Sequence, residues 1–269
     1  MKSVLLHVSD YTGQEVRLMA ALAIVRQHGA QLSCIQVTTM SDFVAADPFG
    51  GMYDVQPLFE LRAKQASDAR ARIEARFIAE GITWEWSVHN GNVAGIIVQQ
   101  SALTDLIVLS QADAGREVNA NRSSLAAEVA IYARTAVLAV PIASPAFDPV
   151  SVVIVAWNGS PEVAHAVRAA LPMLKQSSAV HVITFDEGVD FPTDNIRHYL
   201  AAHGVKAECA ECRLDGKSVS EALSLAVTQY NAAYIVMGAY GHSRFHEAIL
   251  GGVSRDMLAQ NSVPLLLAH

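Results

Sequence analysis

The chain has 269 residues, 52% of them hydrophobic and 17% charged, with 19 Lys+Arg against 26 Asp+Glu for a formal charge of −7. That balance excludes a disordered chain, which needs low hydrophobicity and dense charge, and argues against a nucleic-acid partner, which calls for a basic surface. No apolar run approaches the roughly 18 residues of a membrane span, and the opening Val4–Val8 is shorter than the roughly 7–15 apolar residues of a secretory signal. Three cysteines (Cys34, Cys209, Cys212) suit a reducing compartment, so a cytoplasmic protein is expected.

In chain order, Val4–Val8 is a short apolar strand, and Thr12-Gly-Gln-Glu15 has the spacing of a capping box before a helix that Gly29 ends. A second strand is predicted over Leu32–Thr38. Residues 39–80 then form an insertion: a Gly/Asp/aromatic loop (Asp47–Tyr53) and a charged helix over about Leu58–Glu80. Strands at Ile82–Val88 and Leu106–Leu109 follow, and Val137–Val140 is the last apolar strand of this half. Pro141, Pro145 and Pro149 mark a linker, since proline continues neither a helix nor a central strand.

Beyond the linker the plan repeats. Val152–Ala156 is a continuous β-branched run, as a strand buried on both faces should be. Asn158-Gly-Ser160-Pro161 supplies a turn, an N-cap serine and a proline at the first helical position of a helix reaching about Lys175. Strands are predicted at Ala179–Phe185, Lys206–Arg213, Tyr234–Met237 and Leu265–Ala268. Subtracting 128 lays Ile235–Met237 on Ile107–Leu109 and Leu265–Ala268 on Val137–Val140. Strands alternating with helices indicate βαβ units and a mostly parallel sheet. Two α/β domains result, 1–141 and 150–269, joined by 142–149.

Ligands of open parallel sheets sit beyond the carboxyl ends of the strands. There the second repeat carries Gly238-x2-Gly241-x9-Gly251, followed by Gly252-Val253-Ser254 at the start of the last helix. Glycines let backbone N–H groups approach an anion, a helix N-terminus favours phosphate, and Ser254 could add a hydroxyl donor. A tight strand-to-helix connection without ligand is the plainer reading of the same glycines.

This spacing resembles the ATP-binding signature of the universal stress protein family, and the paired halves resemble its tandem members. The resemblance implies two five-stranded parallel α/β domains of the adenine-nucleotide α-hydrolase type, packed as a pseudo-dimer whose last strands cross-pair. It implies a stress-response protein that binds ATP or a related nucleotide (ADP, AMP), with Mg²⁺ carried on the phosphates and at most slow hydrolysis. Phosphates would meet Gly238, Gly241, Gly251, Gly252, Val253 and Ser254; the nucleoside would lie near Ala156 and Asn158. Two positions depart from the family pattern: Gly252 stands where Ser or Thr usually donates a hydroxyl, and Asn158 where Asp is usual, while the first repeat keeps Asp10. The first repeat also places Ser110, Asp113, Ser123 and Ser124 opposite Gly238, Gly241, Gly251 and Gly252, so its phosphate motif is degenerate. It is expected to be a structural or partner domain.

Other motifs have simpler readings. Gly216-Lys-Ser218 lacks the earlier glycine of a P-loop, because Glu211 stands there. Cys209 and Cys212, three apart on a strand, point to opposite faces and share neither metal nor disulfide. His242 and His246 have zinc spacing without the intervening glutamate of a metalloprotease, and Gly241–Phe245 lacks the last glycine of a nucleophile elbow. The Pro48–Tyr53 loop reads as a lid or as plain surface. Two rival functions stay open. One is a nucleotide-free protein acting through a partner protein, self-association or another small ligand. The other is a nucleotidyl-transferring enzyme, which needs a His-x-x-His or Ser-Gly-Gly-x-Asp motif that this sequence lacks.

Overall fold

The computed structural model describes residues 1–9, 13–38, 56–111, 124–143, 146–185, 193–239, 252–260 and 262–269. In the first half these form β1 (Ser3–Val8), α1 (Gln14–His28), β2 (Gln31–Thr38), α2 (Gln56–Glu80), β3 (Trp84–Asn90), α3 (Val93–Gln100), β4 (Leu106–Ser110), α4 (Leu125–Tyr132) and β5 (Val137–Val140). The second half supplies β6 (Val153–Ala156), α5 (Pro161–Leu174), β7 (Val180–Phe185), α6 (Thr193–Ala202), β8 (Ala207–Cys212), α7 (Val219–Tyr230), β9 (Tyr234–Gly238), α8 (Gly252–Gln260) and β10 (Leu265–Ala268).

All ten strands join one sheet in the order β3-β2-β1-β4-β5-β10-β9-β6-β7-β8. Every pairing is parallel except β5 with β10, where Leu138 lies opposite Leu266. The expected cross-pairing of the two last strands is therefore present. Both are buried along their whole length, which explains their unbroken apolar sequence. One face of the sheet carries a core to which α1, α2, α5 and α6 contribute Leu18, Phe77, Val167 and Leu200. The opposite face packs Ile97, Val129, Leu223 and Met257 from α3, α4, α7 and α8.

Local signals explain most boundaries. Ser160 caps α5 by accepting from the Val163 N–H, and Pro161 follows it. Gly29 ends α1 in the left-handed region (φ 58°) and donates to the Val25 carbonyl. α1 begins after Gly13 (φ 88°), and Thr12, on which the expected capping box rests, lies outside the described residues. Gln14 and Arg17 are turned to other work, since Gln14 Oε1 accepts from the Ser9 N–H at 3.0 Å and from Arg17 Nη2 at 2.5 Å.

The proline-rich connection is anchored rather than loose. Phe147 is buried edge-on against Tyr234, with ring centroids 5.5 Å apart, and Asp148 accepts from the Val150 N–H and the Ser151 hydroxyl. Across the seam Gln111, 1% exposed, donates to the carbonyls of Ala139 (3.1 Å) and Val263 (2.5 Å). Cys209 packs on one core and Cys212 on the other, so the two thiols do lie on opposite faces. Lys217 is exposed, and Ser218 forms a capping box with Glu221, which accounts for the P-loop-like tripeptide.

Candidate functional site

The strand order reverses between β6 and β9, because α5 carries the chain from β6 to β7 on one side while α7 carries it from β8 to β9 on the other. Such a switch point opens a crevice at the carboxyl ends of its two strands. Register puts Val155 beside Val236. The next residues out are Trp157, Asn158 and the start of α5 on one strand, with Gly238 and Ala239 on the other.

The two sides approach closely. A Cβ on Gly238 would lie 2.8 Å from the Val163 nitrogen and 3.0 Å from Glu162 Cβ, so only glycine fits against the first turn of α5. From the other side, the Ser254 hydroxyl in α8 donates to the Gly238 carbonyl at 3.1 Å. The proton expected to add a donor to the cradle is thus committed to fixing the end of β9. Gly252 opens α8, and among the described residues no heavy atom lies within 4 Å of its Cβ position. The first amides of α8 and the positive end of its dipole lie at this position. Gly241, Gly251, Asp10, Asp113, Ser123, His242, His246 and the Pro48–Tyr53 loop lie outside the described residues.

Asn158 is exposed, and its Oδ1 accepts from the Ser160 N–H at 3.1 Å. Its acceptor therefore shapes the turn, leaving the amide NH₂ as the outward group. Ala156 is half-buried on the α7–α8 face, together with Phe185, Cys212, Val219 and Val253. These give the carboxyl edge an apolar shelf. His269 Nδ1 lies 2.8 Å from the Ala239 carbonyl, which makes that ring nitrogen the protonated one, and His165 Nδ1 lies 2.9 Å from the His269 backbone oxygen.

Three features went unread in the sequence. Trp157 is buried, and its indole Nε1 meets no hydrogen-bond partner. The same is true of Glu162 Oε2 in the first turn of α5. Phe185 closes the shelf at the end of β7. An aromatic residue beside the Asn-Gly-Ser turn was the available signal for Trp157; nothing marked Glu162, whose place depends on how closely α5 approaches β9.

The first half treats the equivalent place differently. Ser110, opposite Gly238 in the repeat, is bonded through its hydroxyl to Nη1 of Arg17, a guanidinium only 3% exposed. Arg17 also donates to the His7 carbonyl (2.8 Å) and the Ser9 hydroxyl (3.0 Å). Burial, with Arg17 nearby, lowers the His7 pKa to about 3. Ser124, opposite Gly252, caps α4 by accepting from the Ala127 N–H. One amide at the start of α4 is therefore already used by its own cap.

Among the described residues no group of three or more His, Cys, Asp or Glu side chains could hold a metal ion. A divalent ion at this edge would fit as a passenger on phosphates rather than in a protein cage. No helix among them is long and apolar enough to cross a membrane.

The model of the universal stress protein family matches residues 150–269. No curated protein matches the sequence. Among solved structures, a universal stress protein from Archaeoglobus fulgidus shares 17% identity over 99% of this chain and 95% of its own, with a TM-score of 0.77. A functionally unknown protein from Pseudomonas aeruginosa shares 14% identity over 100% of this chain and 92% of its own, with a TM-score of 0.61. A putative universal stress protein from the same species, also at 14%, covers 100% of this chain and 93% of its own, with a TM-score of 0.59. Residues 150–269 match the universal stress protein family, and the chain as a whole shares the fold of these solved structures, a tandem pair of five-stranded α/β units.

Proposed function

We propose that the C-terminal half binds an adenine nucleotide, ATP or its ADP or AMP relative, at the β6–β9 switch point, and that the protein works as a cytoplasmic stress-response sensor or regulator. The supporting observation is the meeting of the β9 end and the β6–α5 turn at Gly238, with the N-terminus of α8 at Gly252 following the same strand and bonded back to it through Ser254. In this reading Gly238, Gly241, Gly251, Gly252 and Val253 form the phosphate cradle, and Ser254 holds the end of β9 in place. The base lies over Ala156 and the neighbouring apolar shelf, with Asn158 at the nucleoside; Mg²⁺ arrives with the phosphates. Residues 1–141 serve as a nucleotide-free partner domain, 142–149 as the connection and 150–269 as the binding domain. Output passes through a protein partner or self-association rather than turnover, since no general base is paired with a positioned nucleophile among the described residues.

The test begins with denaturing the purified protein and identifying any released nucleotide. ATP with Mg²⁺ is then titrated calorimetrically into stripped native protein and into Gly252→Asp. The new carboxylate meets none of the described residues and sits where a helix dipole favours it, so stability should hold or rise while phosphate is repelled. About one nucleotide per chain, lost in the variant, supports the reading. No carried nucleotide and no heat at millimolar ATP would refute it, and the nucleotide-free alternative would take its place.

A further inference from the structure

The chain leaves β9 through Gly238 and Ala239, and both are tied down from neighbouring elements. The Gly238 carbonyl accepts from the Ser254 hydroxyl of α8 at 3.1 Å. The Ala239 N–H donates to the Ala268 carbonyl at 2.8 Å, extending the β9–β10 ladder by one residue. The Ala239 carbonyl accepts from Nδ1 of His269, also at 2.8 Å. His269 is held in turn, because its backbone oxygen accepts from Nδ1 of His165 at 2.9 Å. His165 stands in the second turn of α5, the helix that lies across β9 and β10 and whose first turn meets Gly238. Two imidazoles therefore link α5 to the end of β9. Since β10 and β6 both run parallel to β9, this link emerges at the same carboxyl edge as Gly238 and the β6–α5 turn. The first half keeps the ladder bond but cannot make the link. A shift of 128 residues sets Gln111 opposite Ala239 and Pro141 opposite His269. The Gln111 N–H donates to the Val140 carbonyl at 2.8 Å, whereas proline has no side-chain donor. The ladder extension is common to both halves; the imidazoles belong to the half with glycine at 238 and 252.

We propose that His269, braced by His165, is a positioning residue for the phosphates of the ligand, because it fixes the root from which the chain departs β9 towards the glycines. This rests on the nucleotide reading above and adds to it a control over the phosphate end by residues that need not touch the ligand. Ala239 is fully buried and has both its N–H and its carbonyl bonded, so it holds one backbone orientation. A root fixed in advance lowers the ordering that a phosphate must impose on binding, which is how preorganisation raises affinity. The adenine and ribose, seated over Ala156 and its apolar shelf, draw nothing from this link. Breaking it therefore weakens ligands that carry phosphates and spares those that do not.

The experiment compares ATP with adenosine on the full chain, ATP by calorimetry and adenosine by competition against ATP. The proteins are the native chain, His269→Ala and His269→Asn, whose side-chain amide keeps an N–H donor near the place of the imidazole Nδ1. His269→Ala should bind ATP about three- to tenfold more weakly, the scale of one hydrogen bond, with adenosine unchanged. His269→Asn should recover most of the ATP affinity. Where millimolar adenosine does not compete, AMP replaces it, and its loss should be smaller than that of ATP. Should His269→Ala not fold, as judged by circular dichroism, His165→Ala is carried through the same two ligands with the same expectation. Unchanged ATP affinity, an equal loss for both ligands, or a His269→Asn protein as weak as His269→Ala overturns the positioning assignment and leaves nucleotide binding intact. Absence of any nucleotide binding to the native protein overturns both readings.

Discussion

Replacing Gly238 by alanine tests whether the crevice is built as described. The added methyl carbon would stand 2.8 Å from the Val163 nitrogen, 3.0 Å from Glu162 Cβ and 3.2 Å from the Glu162 carbonyl carbon. Two of these are backbone atoms in the capped first turn of α5, so no side-chain rotation relieves the contact. Either α5 or the end of β9 must move by several tenths of an ångström, and such overpacking costs about 1–3 kcal/mol. For a chain of this size that corresponds to a loss of about 2–6 °C in melting temperature. Gly252→Ala is the matched control. Its Cβ would meet none of the described residues within 4 Å, and alanine in a helix gains up to about 1 kcal/mol over glycine. Thermal and urea unfolding of both variants, read by circular dichroism, should show Gly238→Ala clearly destabilised and Gly252→Ala unchanged or improved. A Gly238→Ala protein as stable as the native one, or equal damage in both, would refute the close approach of α5 to β9.

Two further outcomes follow from buried polar groups. His7 has its pKa lowered to about 3 from 6.5, so below pH 6.5 the unfolded chain takes up a proton that the folded chain refuses. Stability should then fall by about 1.4 kcal/mol per pH unit as pH drops from about 6 towards 3, and His7→Gln should remove one proton from that dependence in urea titrations at pH 5 and 7. Gln111→Ala deprives the Val263 carbonyl of its donor at the seam and should cost about 1–3 kcal/mol. A variant as stable as the native protein in urea would show that the amide contributes nothing to joining the halves.

The repeat itself was legible because β-branched runs and proline or glycine punctuation recur at matching offsets in both halves. Val137–Val140 and Leu265–Ala268 were recognisable as buried strands from their unbroken apolar sequence, and both lie at the centre of the sheet. At the start of α1 nothing in the sequence signalled the bonds that Gln14 and Arg17 make to Ser9, His7 and Ser110, because those partners are set by the packing of β1 and β4. Ser254 illustrates the same limit. Its position at the start of α8 was plain, yet its hydroxyl turns to the Gly238 carbonyl, sixteen residues earlier in the chain. Cys209 and Cys212 were easier, since strand periodicity alone puts them on opposite faces. The unpartnered atoms of Trp157 and Glu162 were invisible because an unsatisfied buried atom is a property of packing, with no counterpart in residue spacing.

The antiparallel junction of β5 with β10 has a consequence for how the two halves can diverge. Two identical five-stranded units meeting by association must change together, because any substitution appears on both sides of the axis at once. Here the tether holds the units at a fixed one-to-one ratio, and the junction does not come apart on dilution. Each half is thereby released from resembling its neighbour. One places an arginine against the end of its fourth strand and caps its helix with serine, while the other has glycine at both positions, Gly238 and Gly252, and the two halves still form one common sheet.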